Sequence, residues 1–285
     1  MIDLHTHTTA SDGKCSPSEL VARAAAAGVT VLAVTDHDTC DACDEARQSC
    51  AAAGITFVNG IEITAVREEV DIHVLGYFFD PESPSLRVFL AEQRRRRLER
   101  VGRIIAQLAK LGLPLDADAI LRPATDHPGK AIGRPAIARA LVAGGYVKTS
   151  NEAFATWLSR GRPAFVAREG AAPDTVIAQI HDAGGVASLA HPGLLRRDPW
   201  IAGLASAGLD ALEAYHTNHD EEATGRYRST ADRLGLAVSG GSDYHADESH
   251  GAVRPGSVSL PADAFDQLRE RATRRASASG AITSS

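Results

Sequence analysis

The sequence predicts an α/β protein: a parallel β/α barrel, incomplete or distorted, interrupted by an all-helical insertion. Three observations carry that prediction. Short apolar runs alternate with amphipathic helical runs toward both ends of the 285-residue chain, giving about seven strand–helix units. The alternation stops between about residues 81 and 162, where the pattern is helical throughout. Histidines and carboxylates recur where a strand would meet its following loop, the rim on which β/α barrels build their sites. An open doubly wound sheet is the rival arrangement; no glycine-rich phosphate fingerprint follows the first strand to support it.

Residues 2–4 form a short apolar strand. Ser16-Pro17-Ser18-Glu19 opens a helix, with Ser16 as N-cap, Pro17 as first helical residue and Glu19 closing a capping box, and Gly28 stops it. Residues 29–34 read as a strand, 41–53 as a helix, and 55–58 and 61–66 as two strands. Residues 71–79 follow Arg67-Glu68-Glu69 and pair back as a hairpin. One long helix is expected over 85–111, with others over 134–143 and 151–158. Alternation resumes at Ala164, with helices at 173–183, 200–207, 221–234 and 262–275 and strands at 186–190, 211–215 and 236–239. The expected domains are a discontinuous barrel (residues 1–80 and 163–275), a helical insertion or lid (81–162) and a disordered tail (276–285).

Composition narrows the function. Apolar residues make up 44% and charged residues 23%, the balance of a folded soluble chain, and no apolar run spans a bilayer. Met1-Ile2-Asp3-Leu4-His5 lacks the basic start and apolar core of a signal peptide, so a cytoplasmic location is expected, with no membrane partner. A net charge of −6 argues against binding duplex DNA but not against a local anion pocket. Lysine occurs only at Lys14, Lys110, Lys130 and Lys148, so the positive charge is mostly arginine, suited to bidentate phosphate contacts. Cys40 and Cys43 form a C-x-x-C with no second pair; with Cys15 and Cys50 they read as packing thiols.

The chemistry lies in the histidines and acids. His5 and His7 leave the first strand as His-x-His, and Asp12 follows in Ser11-Asp12-Gly13. The second strand ends Thr35-Asp36-His37-Asp38, the next carries Glu62 in Gly60-Ile61-Glu62, and its hairpin partner carries His73. Later strands end Ala190-His191-Pro192 and Ser242-Asp243-Tyr244-His245. Strand alternation puts His5 and His7 on one side, and likewise Asp243 and His245. Imidazole with carboxylate suits manganese, iron or zinc. Nine candidate ligands (His5, His7, Asp12, His37, Glu62, His73, His191, Asp243 and His245) exceed one ion's needs and fit two or three divalent ions, with Glu62 able to bridge. Asp36 and Asp38 read as supporting groups or loop caps.

These motifs, in this order, resemble the polymerase-and-histidinol-phosphatase (PHP) family, and within it the small stand-alone bacterial phosphoesterases. The resemblance implies a distorted (β/α)7 barrel and a trinuclear site that hydrolyses phosphate esters. It implies that His5, His7, Glu62 and Asp243 hold one metal, that Asp12, His37 and His245 hold a second, and that Glu62, His73 and His191 hold a third. Relatives in this branch act on nucleotide bisphosphates or short oligoribonucleotides. Gly133-Arg134-Pro135-Ala136-Ile137-Ala138-Arg139 resembles a Gly-Arg-Pro-His-Ile-Ala-Arg segment of the branch, which makes Arg134 a phosphate contact; Ala136 departs from the family's histidine. Arg160, in a second basic turn, and His219 complete the expected substrate contacts.

The expected function is therefore a metal-dependent phosphoesterase in which metal-bound hydroxide attacks a nucleotide or short oligoribonucleotide phosphate. The alternatives are a C–N hydrolase of the amidohydrolase kind, which also uses a His-x-His barrel, and a non-catalytic metal-stabilised domain. Arg94, Arg95, Arg96 and Arg97, with Arg100 and Arg103, read as a solvated helix face or an oligonucleotide guide. His127, His181 and His250 read as surface residues.

Overall fold

The computed structural model describes residues 1–127, 129–247 and 251–282, with side chains as far as residue 277. Its strands are β1 (Ile2–Asp3), β2 (Val31–Val34), β3 (Thr56–Arg67), β4 (Val70–Tyr77), β5 (Val186–Leu189), β6 (Ala211–His216) and β7 (Ala237–Gly241). They lie side by side in chain order as one seven-stranded sheet. Neighbours are parallel except β3–β4 and β4–β5, because the tight turn at Glu68 and Glu69, both with positive φ, reverses the chain. The sheet nearly closes beyond its ladders, where the Leu4 N–H donates to Gly240 O at 3.2 Å and Thr6 bridges Tyr244. A barrel with one reversed strand is the result.

The helices outside it are α1 (Pro17–Ala26), α2 (Cys43–Ala53), α7 (Pro173–Asp182), α8 (Pro192–Leu195), α9 (Pro199–Ser206), α10 (Glu221–Leu234) and α11 (Ala262–Ile282). Ser16 and Glu19 form the reciprocal capping box that their spacing predicts. Between β4 and α7 run α3 (Pro84–Lys110), α4 (Ala117–Asp126), α5 (Arg134–Ala143) and α6 (Ser150–Ala153), the last continuing as a π-helix over Phe154–Leu158. This stretch has a core of its own, with Val101, Ile104, Leu108, Ile137, Leu141 and Leu158 all buried. Each such aliphatic side chain contributes about 1.5–3 kcal/mol on burial. The helix-facing strand residues Ile61, Ile63, Ile72, Val74, Leu189 and Leu212 are fully buried in a separate cluster with Leu86, Val176 and Ile177.

The structure departs from the sequence reading at four places. β3 is one strand rather than two: Gly60, which resembles a break, pairs with Tyr77, and a Cβ there would sit 2.7 Å from Val34 O. Its glycine serves a close approach. Helix α4 was not expected; Asp116 starts it by accepting the Ala119 N–H at 2.9 Å. No strand forms at 164–172, where the Val66 N–H to Ala171 O bond of 2.8 Å is the tie to β3. The tail expected from residue 276 is instead helical to Ile282, since alanine keeps the turn favourable; residues 283–285 and His250 lie outside the described residues. No helix is long and apolar enough to cross a membrane among the described residues.

Candidate metal centre

The strand ends bring their ligands together through buried carboxylates that hold the loops. Asp3 accepts hydrogen bonds from the Ser242 N–H at 2.9 Å, Ser242 Oγ at 2.6 Å and the Gly256 N–H at 2.7 Å, which locks the β7 exit against β1. Asp36 accepts from the Thr8 N–H at 2.8 Å, Thr8 Oγ1 at 2.6 Å and Ser11 Oγ at 2.5 Å, which fixes the loop carrying Asp12. Gly13 lets this loop fold back on itself: a Cβ would lie 2.5 Å from His7 O. His191, Asp38 and Asp243 all have positive φ (27°, 53° and 56°), a costly conformation for non-glycine residues that clusters here, at the strand exits.

Glu62 occupies the middle. Its Oε2 lies 3.1 Å from His37 Nδ1, 3.3 Å from His7 Nε2 and 3.5 Å from His5 Nε2. Its Oε1 lies 2.8 Å from His73 Nδ1 and 3.1 Å from His191 Nε2. One carboxylate thus faces two separate groups of imidazoles. Asp243 Oδ1 stands 3.3 Å from both His5 Nε2 and His7 Nε2. Asp12 reaches His245 Nε2 at 3.3 Å and His37 Nε2 at 3.7 Å. All nine expected ligands therefore converge. Donor atoms within 4.8 Å of one another form overlapping sets, among them His7, Asp12, His37 and His245, then His5, His7 and Glu62, and then His37, Glu62 and His73.

Two further residues join them that the sequence reading missed. Glu213, fully buried, accepts from His5 Nδ1 at 2.9 Å and from the His191 N–H at 2.7 Å, so His5 turns Nε2 toward Glu62. His216 accepts the Asn218 N–H on Nδ1 at 3.1 Å and faces Asp243 Oδ2 with Nε2 at 3.4 Å. A signal existed for the first: Glu213 is an acid inside the otherwise apolar strand Ala211-Leu212-Glu213-Ala214. A register shift between Glu213 and Tyr215 disturbs the alternation that would have placed His216.

Charge and burial conflict in the pocket. Burial alone would raise the carboxyls of Asp12, Glu62 and Asp243, yet the surrounding imidazoles hold all three well below the usual range. Burial favours a neutral His7 ring, but Asp243 and Glu62 push it up to about 9, whereas burial drives His37 down to about 3. His7 and His245 stack at 4.0 Å, a poor arrangement for two cations. His5 Nε2, both nitrogens of His7, His37 Nδ1 and His191 Nδ1 are buried without a hydrogen-bond partner. Such groups are costly unless something else satisfies them. Lone pairs of neutral imidazoles aimed at shared carboxylates fit divalent cations.

The expected substrate contacts divide. Arg134 is half-buried beside the centre, with Nη2 3.2 Å from Asp71. Arg160 is exposed and pairs with Glu69 at 3.1 Å, at the tip of the β3–β4 hairpin rather than among the strand-end ligands. His219 has no nitrogen to spare, since Nδ1 donates to Ala214 O at 2.9 Å and Nε2 accepts the Gly193 N–H at 3.1 Å. It is a latch between β6 and the short helix α8 that follows His191. The arginine run splits by helical phase: Arg95 and Arg96 face Glu92 in solvent, while Arg97 turns inward to Asp38 and Arg94 to the Asp38 carbonyl. His127 is exposed, but His181 bonds Asp210 at 2.7 Å and is half-buried. A cleft of about 1010 Å³ opens from Asp12 past Lys14, Arg139, Phe154 and Tyr244.

Comparison with known proteins places this geometry. A family model for the PHP domain matches residues 3–121. A 3',5'-nucleoside bisphosphate phosphatase of Chromobacterium violaceum is 36% identical over 252 residues, 86% of this chain and 87% of that protein. A 5'-3' exoribonuclease of Haemophilus influenzae is 37% identical over 253 residues, 85% of this chain and 89% of that one. A solved Bifidobacterium adolescentis structure, described as a candidate metal-dependent phosphoesterase, superposes with a TM-score of 0.84 at 34% identity, covering 94% of this chain and 95% of its own. A Chromobacterium violaceum structure described as an amidohydrolase, with bound sulfate and no metal, gives 0.83 at 33% identity, with 95% and 96% covered.

Proposed function

The chain belongs to the PHP domain family of metal-dependent phosphoesterases, and from that premise we propose that it hydrolyses a phosphate ester of nucleoside 3',5'-bisphosphates or short oligoribonucleotides. The carrying observation is Glu62, whose two oxygens face separate groups of buried imidazoles. In this reading His5, His7, Glu62 and Asp243 hold one divalent ion, Asp12, His37 and His245 a second, and Glu62, His73 and His191 a third, manganese being the working choice. When bound, such ions supply an acidified water and neutralise charge on the phosphoryl group.

The chain's own residues do the rest. Glu213 fixes the tautomer and direction of His5, and Asp36 and Asp3 hold the Asp12 and Asp243 loops, so the donors stand ready before substrate arrives. Arg134 adds positive charge beside His73 without occupying the pocket. These cations favour an anionic substrate over the neutral amide of a C–N hydrolase, in keeping with the named activities of the relatives. The test offers manganese-supplemented protein adenosine 3',5'-bisphosphate, short RNA and a neutral amide, with a His5→Ala/His7→Ala control. Phosphate or nucleotide release that the control lacks is expected. Amide cleavage alone, or equal release by the control, would overturn the reading.

A further inference from the structure

We propose that His219 is a positioning residue that holds the backbone of His191 in a strained turn and so keeps its imidazole on the His73 side of Glu62. This deepens the metal-dependent reading and rests on it. His191 sits where β5 ends and α8 begins, with φ 27° and ψ 59°. Such a conformation is costly for a residue with a Cβ and persists only where its surroundings fix it. In it, Nε2 lies 3.1 Å from Glu62 Oε1, and the ring centroid lies 5.2 Å from that of His73. A return toward ordinary φ would swing the ring away from both.

Two acceptors from one neighbouring stretch of chain do the fixing. The His191 N–H donates to Glu213 Oε2 at 2.7 Å, Pro192 has no N–H, and the Gly193 N–H donates to His219 Nε2 at 3.1 Å. The first N–H groups of a helix have no partner within it, and the side chain of His191, the N-cap of α8, makes no capping bond. His219 takes that place from 26 residues along the chain. Its ring can do so in one state only: Ala214 O accepts from Nδ1 at 2.9 Å, so the proton is on Nδ1 and the Nε2 lone pair faces Gly193.

The ring is itself held. The His219 N–H donates to His216 O at 2.9 Å, and the buried Tyr227 ring backs the imidazole at 5.0 Å between centroids. The Tyr227 hydroxyl donates in turn to Asp198 Oδ1 at 3.1 Å, at the start of α9. Gly193 matches this fit, since a Cβ there would lie 2.7 Å from His219 Nε2. The consequence is selective. Glu213 steadies both His5 and His191, whereas the bond from His219 acts on the His191 turn alone. Losing it loosens one side of Glu62 and leaves His5, His7 and Asp243 in place.

The experiment titrates EDTA-stripped, desalted protein with manganese chloride and follows unbound manganese by electron paramagnetic resonance, in wild type, His219→Phe, His219→Gln, Gly193→Ala and His191→Ala. Phenylalanine keeps a ring against Tyr227 and removes both nitrogens; glutamine returns an acceptor to the Gly193 N–H. H191A defines the affinity class that depends on His191. In H219F and G193A that class weakens about 10- to 100-fold while the others stay within about twofold, and H219Q recovers part of the loss. A merely structural residue would move every class or none. Backbone amide exchange of the metal-free protein gives a readout that needs no metal: the His191 N–H exchanges on the order of tenfold faster in H219F and slows again in H219Q. An unchanged His191-dependent class or unchanged His191 exchange in a folded H219F or G193A, or an equal loss in every class, overturns the role of His219. A wild type that binds no manganese overturns the metal reading instead, and the exchange measurement then decides the role of His219 by itself.

Discussion

Replacing Glu213 by glutamine separates the support of the site from its ligands. Glu213 is fully buried and accepts two bonds, 2.9 Å from His5 Nδ1 and 2.7 Å from the His191 N–H. Glutamine keeps one acceptor and presents an NH2 to the other donor, so one charge-assisted bond is lost and two donors are opposed. Such a bond contributes about 1.5–3 kcal/mol. If nearly all of that loss falls on the metal-bound state, because His5 is no longer held with Nε2 forward, affinity drops about 10- to 100-fold, the usual range for a lost supporting carboxylate. The assay is equilibrium dialysis of manganese against wild type and E213Q, with thermal unfolding of both in EDTA. Weakened metal binding with a small loss of metal-free stability is expected. Wild-type affinity and kcat/KM in a folded E213Q would refute the idea that Glu213 orients His5.

Other perturbations read different parts of the structure. Asp38→Ala strands the buried Arg97 guanidinium, which Asp38 now holds at 3.0 and 2.6 Å, so urea unfolding should show a loss of about 3–5 kcal/mol. Arg160→Ala removes only an exposed pair with Glu69; less than about 1 kcal/mol of stability and no more than a twofold change in phosphatase kcat/KM are expected. The pH dependence follows from His7: its folded value of about 9 lies above the ordinary 6.5, so its proton stabilises the metal-free fold fully below 6.5, and that benefit is lost as pH rises through 9. Cations need the neutral ring, so the gain in unfolding temperature from manganese over EDTA should grow between pH 6.5 and 9; a shrinking gain would contradict the ligand assignment.

Much of this centre is legible in the sequence because it depends on local rules. His5-Thr6-His7 and Asp243-Tyr244-His245 declare themselves through strand alternation, and the capping box at Ser16 marks where the first loop must end. What escapes is set by contacts distant in the chain. Arg97 and Arg100 come from α3, Arg134 from α5 and Arg168 from an extended segment that joins no ladder, so no spacing announces their meeting around Asp38 and Asp71. Arg160 attracts notice because it lies in a basic glycine turn, yet the guanidinium that reaches the interior is eight residues later. His219 reads as a substrate contact in sequence, and its bonds to Ala214 O and the Gly193 N–H show both ring nitrogens to be committed. Asp116 could have revealed α4, but Pro123 inside that helix obscures the pattern.

In the proposed function Glu62 joins two metal positions. Anomalous diffraction from crystals of this protein grown with manganese tests it most directly. At least two peaks are expected within bonding distance of the Glu62 carboxylate, one on the His5–His7 side and another on the His73–His191 side. A pocket with no peak, or with all bound manganese away from Glu62, would contradict it.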